Sequence, residues 1–248
     1  MKKIKLIISL CIASNFIFIS KIISQNFNYS LTKDSSSYNE LINPLMVSAN
    51  ENYQNKNFII HLPFHYNFCG SVCDSLRIES NGFIVFDKSK GLSSIAFNNF
   101  NSKKDSFGNF VSTIAYITEG ASGNRILKIQ IKNIAQAIYN ATDYLNYQVW
   151  LYENENKIAY HIGPNYLSTV PEPIFPPEIP EEERIRMEVQ NPVLLGLINR
   201  NMDTTNKAYL IKGKPSTPSG LLITGETELG YLNNIPKSGT IYTLTPTF

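Results

Sequence analysis

Histidine, cysteine and tryptophan are all scarce in this chain. Its 248 residues hold three histidines, three cysteines and one tryptophan. Nucleophilic catalysis needs a base beside its nucleophile, so only His61, His65 and His161 are available for that role. No Gly-x-Ser-x-Gly elbow and no glycine-rich phosphate loop is present. Acid–base hydrolysis of glycosides needs two facing carboxylates. Glu79, Asp87, Asp143 and Glu153 are available, but they fall at predicted strand ends or turns, where sequence does not pair them. Coiled-coil heptads and long helical periodicity are missing as well. With so little material for chemistry, no enzyme, cofactor or metal is expected.

Charge of one sign is also lacking. The chain has 22 basic and 20 acidic side chains. Four of the lysines (Lys2, Lys3, Lys5 and Lys21) lie in the first 24 residues, which hold no acid. The remainder is therefore slightly acidic, with 18 basic and 20 acidic groups. The basic isoelectric point belongs to the N-terminus and gives no reason to expect a nucleic-acid partner.

That N-terminus reads as a cleavable signal peptide over residues 1–24. A basic Met1–Lys5 segment precedes an apolar run from Leu6 to Ser20. The run, about 15 residues, falls short of the roughly 20 needed to span a bilayer. No transmembrane span is expected after cleavage. Leu10 before Cys11 is a poor lipidation signal, which calls for a small residue there. Export to the cell surface or medium is expected, with the periplasm as the alternative.

Removing the leader leaves Cys69 and Cys73, which flank Gly70-Ser71-Val72. A turn there would bring their Cβ atoms within the bridging range of about 4 Å, and export permits oxidation. A Cys69–Cys73 disulfide is expected, closing too short a loop to add much stability. His61, His65, Cys69 and Cys73 are spaced by four, as zinc ligands on a helix would be. Pro63 and the strand pattern oppose a helix, and on a strand His61 and Cys69 would lie about 27 Å apart.

What the sequence does have is alternation. Leu62, Phe64, Tyr66 and Phe68 fall on one face of a strand; His61, Pro63, His65, Asn67 and Cys69 fall on the other. A second strand covers Leu76 to Phe86. Thr113–Thr118 and Arg125–Ile134 follow. The clearest hairpin is Tyr147–Ile162, where Tyr147, Val149 and Leu151 alternate with Gln148, Trp150 and Tyr152 before a turn at Glu153–Asn156. Further strands are expected at 193–199, 207–212, 221–227 and 240–244. Trp150 reads as a core or sheet-face aromatic, or as a sugar-stacking platform with Tyr152 beside it. Residues 25–50 read as an N-terminal arm and 51–248 as the folded domain. The proline- and glutamate-rich stretch 168–192 is an inserted surface loop, since proline cannot sit in a central strand. Many short strands with Gly, Pro and Asn turns predict an all-β, jelly-roll-like sandwich of antiparallel strands.

The segment from His61 to Gly70, followed by Leu76 to Phe86, resembles the hairpin of exported β-sandwich modules in type IX secretion cargo proteins. Arg125–Gln130, Tyr147–Glu153, Tyr160–Gly163 and Pro236–Pro246 are similar to later strands of those modules. The resemblance spans about residues 50–248 without the C-terminal sorting domain such cargo carries. It implies export and surface or extracellular residence, and no catalytic residues. Asp74-Ser75-Leu76 and Asp203-Thr204-Thr205 resemble acceptor motifs for O-glycosylation in exported bacterial proteins, at Ser75 and Thr204. The expected role is noncatalytic binding or adhesion, to a glycan or another surface protein. The alternatives are a structural module or a fragment of a larger secreted protein and, further off, a carbohydrate-active enzyme or a small outer-membrane barrel suggested by alternating Tyr242, Leu244, Pro246 and Phe248.

Overall fold

Strand alternation organises the computed structural model, which describes residues 28–68, 71–80, 82–86, 92–97, 100–136, 142–166, 193–200, 207–224 and 230–247. The predicted signal peptide, the 168–192 loop, Cys69 and Thr204 lie outside the described residues.

Fifteen strands occur among the described residues. One sheet contains β1 (Tyr29–Ser35), β2 (Leu45–Ala49), β7 (Phe100–Ser102), β8 (Thr113–Glu119), β9 (Ile126–Gln136), β10 (Tyr144–Tyr152), β11 (Ile158–Tyr166) and β15 (Thr240–Pro246). Its order is β1-β15-β11-β10-β9-β8-β2, with β7 also paired to β9. The other sheet contains β3 (Asn57–Phe68), β4 (Ser71–Glu79), β5 (Ile84–Phe86), β6 (Leu92–Phe97), β12 (Leu195–Arg200), β13 (Lys207–Lys214) and β14 (Thr217–Thr224). It runs β14-β13-β12-β6-β5-β4-β3. Pairing between the strands is antiparallel throughout. The chain winds by meanders within a sheet, then crosses to the other. This is the antiparallel sandwich that the alternation predicts. Each sheet keeps two edges among the described residues, so they do not close into the barrel weighed from the C-terminal pattern.

An apolar core joins the sheets, with Ile60, Tyr66, Leu76 and Leu197 meeting Ile129, Val149, Tyr160 and Leu244; a smaller cluster of Ala208, Leu210 and Ile223 lies apart from it. On β3, Phe64, Tyr66 and Phe68 are buried while His61 and His65 face outward. Tyrosines cross the core and use their hydroxyls to bind the opposite layer. Tyr160 Oη of β11 donates to the Gly196 carbonyl of β12 at 2.9 Å. Tyr66 Oη of β3 donates to the Asn156 carbonyl in the β10–β11 turn at 2.9 Å. Tyr242 Oη of β15 donates to the Pro215 carbonyl between β13 and β14 at 2.8 Å. Each phenol thus supplies apolar area and satisfies its own polar end.

Two local expectations are corrected. Residues 28–50 are part of the sandwich: β1 and β2 form opposite edges of one sheet. The predicted turn at Gly70-Ser71-Val72 is shifted, because β4 already begins at Ser71, paired with Phe68. Cys73 is therefore buried in the core opposite Tyr66. The expected disulfide involves Cys69, outside the described residues.

Candidate functional site

With β1 and β2 at opposite edges, residues 36–44 must cross the sheet, and they do so over its outer face as a strap. Polar side chains on that face hold the strap by its backbone. The Leu41 N–H donates to Gln130 Oε1 at 2.9 Å. Gln148 Nε2 donates to the Asn39 carbonyl at 2.8 Å and to Gln130 Oε1 at 2.9 Å. Lys132 forms an ion pair with Glu40 at 2.6 Å. The Tyr38 ring lies on Gly163: a Cβ there would come within 2.7 Å of the ring, so only glycine leaves the space. Gln130 and Gln148 are buried although they point away from the core, because the strap covers them.

The same network reaches Trp150. Its indole N–H donates to Gln148 Oε1 at 2.8 Å. The His161 ring stacks on it at 3.8 Å, tilted by 18°. Lys128 Nζ stands 4.0 Å from the indole centroid and also pairs with Glu119. His161 comes from β11 and Lys128 from β9, the strands on either side of β10, so the indole is flanked on both sides. Burial, then the nearby Lys128 charge, lower the His161 pKa to about 4. His161 is thus neutral at physiological pH, and its Nε2 has no hydrogen-bond partner among the described residues.

Trp150 is therefore a sheet-face aromatic. As a sugar platform it would have to give up either His161 or Lys128. Tyr152, two residues along the same face, is half-buried with Lys157 Nζ 4.7 Å from its ring. Ser75 lies within β4 opposite His61, and not at a turn; its hydroxyl donates to Asp74 Oδ1 at 3.2 Å. The structure thus brings Trp150 together with Gln148, His161 and Lys128 and leaves Ser75 and Cys73 in the other sheet. Alternation in the sequence puts Gln130 and Gln148 on strand faces but gives no sign of the strap that covers them. The available signal was Gln130 and Gln148, polar residues at equivalent places in two adjacent apolar strands.

Residues 28–173 match the model of a family described as NIDO related. The chain belongs to the NIDO-related family. The matched part of this NIDO-related chain begins just before β1 and includes the strap, the glutamines and the Trp150 cluster. NIDO-related domains are extracellular-type modules. No curated protein and no solved structure was found to match.

Proposed function

We propose that this chain is an exported, noncatalytic NIDO-related module that works by binding at the cell surface or in the extracellular space. The family assignment over residues 28–173 carries this reading. The N-terminal leader pattern and the resemblance to type IX cargo modules support it independently. The ligand is a glycan or another surface protein.

Fractionation of the host, followed by blotting for the mature protein, tests the export claim. Recovery at the surface or in the medium is expected, and cytoplasmic retention of an unprocessed chain would refute it. The lone tryptophan then reports on glycans. If a sugar displaces Lys128 from the indole, Trp150 emission changes on titration with that glycan. A panel of glycans that leaves the emission unmoved would direct the search to a protein partner.

A further inference from the structure

β7 and β8 lie along the same side of β9, with Ser102 opposite Ile134 and Thr113 opposite Lys132. They are one strand line interrupted by an excursion, residues 103–112. The excursion is a small hairpin. Lys104 bridges to Phe110, the Val111 N–H donates to the Lys103 carbonyl at 3.0 Å, and the Asp105 N–H donates to the Asn109 carbonyl at 2.9 Å. Ser112 Oγ stitches its base, accepting the Lys103 N–H at 2.6 Å and donating to the Asn133 carbonyl. At the tip, Asp105 Oδ1 accepts the N–H groups of Phe107 and Asn109, each at 2.9 Å, and Gly108 takes a φ of +84°. This turn holds Phe107 87% exposed. The backbone that carries this side chain is therefore already ordered before any contact is made.

The finger stands at the end of β2, where the Asn50 N–H donates to the Ser112 carbonyl at 2.9 Å. β2 pairs with β8 on one side, and among the described residues no strand pairs with its other side. The strand Leu45-Met46-Val47-Ser48-Ala49 has no charge and exposes Leu45 (62%) and Met46 (54%), just after Ile42 (79%). The other edges carry features that discourage pairing: Lys33 and Asp34 in β1, Pro63 in β3, Pro218 in β14. β2 has a bulge at Val47, on its β8 side, and a proline only before it begins.

We propose that the β2 edge and the Phe107 finger form the contact between two copies of this chain. An open strand edge asks for a polypeptide, since lipid cannot satisfy its N–H and C=O groups. An uncharged edge pairs with itself without like-charge repulsion. Antiparallel pairing of β2 with β2 about a two-fold axis sets the start of each strand against the end of the other. Ile42 and Leu45 of one copy then come beside the finger of its partner, and each Phe107 covers the other copy's exposed residues.

Sedimentation equilibrium on the mature chain tests this. A reversible monomer–dimer equilibrium is expected. Met46→Lys places a charge at the edge in both copies and leaves monomer at every concentration. Phe107→Ala removes the anchor and raises the dissociation constant about tenfold or more. Leu222→Lys, on the distant β14 edge, leaves the dimer intact. These sites are exposed, so unchanged circular dichroism separates loss of contact from loss of fold. A parent chain that stays monomeric, or a dimer indifferent to Met46→Lys, overturns the proposal. A dissociation constant unmoved by Phe107→Ala overturns the role of the finger.

Discussion

The Glu153 carboxylate ties its own β10–β11 turn to the β8–β9 turn and to the side chain of Arg125. It accepts the Gly123 N–H at 2.8 Å, the Arg125 N–H at 3.0 Å, and the Arg125 guanidinium at 2.9 and 2.6 Å. Arg125 in turn donates to the Pro63 carbonyl of β3 and lies over Phe64, so the clasp reaches the second sheet. The Arg125 side chain, with help from the two backbone donors, lowers the Glu153 pKa to about 2. A carboxylate with a depressed folded pKa adds stability above its unfolded value, and that stability is lost as pH falls toward the folded value. Acid titration of the parent should therefore lower the urea midpoint between about pH 4.5 and pH 2, and Glu153→Gln should flatten that decline. His161 acts in a higher window that meets the first near pH 4. Its folded pKa of about 4 lies below the ordinary 6.5, so the unfolded chain takes up the proton first and stability falls between those values. His161→Gln should remove that loss, and Trp150 emission should be constant above pH 5 and change near pH 4. In the core, Tyr160→Phe leaves the Gly196 carbonyl without its phenol donor; a loss of about 1–3 kcal/mol is expected by urea denaturation.

At the scale of elements, the strap depends on one glycine. Gly163→Ala would drive a methyl into the Tyr38 ring, and the ring is the softer party because it belongs to a strap held by few bonds. The expected result is faster amide exchange over residues 36–44, at a cost of about 1–3 kcal/mol. Protection of the strap equal to the parent's would show that Tyr38 is not its anchor. The strap also shows why this part of the site was illegible in sequence. Strands such as β3 and β10 announce themselves because one face is apolar. Gln130 and Gln148 sit on faces that should be wet, and only the crossing of residues 36–44 makes them buried. Trp150 could be placed on its face by alternation alone. Alternation places His161 and Lys128 on their own strand faces too, but not beside Trp150, because that depends on the register of three strands. The Phe107 finger escaped for a related reason: a turn-forming Asp105-Ser106-Phe107-Gly108-Asn109 looks the same whether it joins two strands or interrupts one.

For the whole molecule, antiparallel sandwich architecture follows from local alternation, while the order of strands across the sheets does not. That order has a consequence for the family match, which stops at residue 173. β1, inside the match, touches the rest of its sheet through β15, which lies between β1 and β11 and belongs to the last residues described. β12, β13 and β14 likewise lie beyond the match, and β12 and β13 supply Leu195, Leu197, Tyr209 and Ile211 to the core between the sheets. A chain cut after residue 173 would leave β1 unpaired, expose Tyr160 and Ile162 at the new β11 edge, and remove the Gly196 acceptor of Tyr160. Contacts between the first and last strands are non-local, so their loss is not made good by neighbours in sequence. The fragment 28–173 should therefore lack a cooperative thermal transition and show collapsed amide dispersion in its NMR spectrum. The fragment 28–248 should melt in one step. A cooperative fold for 28–173 would mean that β2 to β11 form a stable unit and that β12 to β15 are an addition to it.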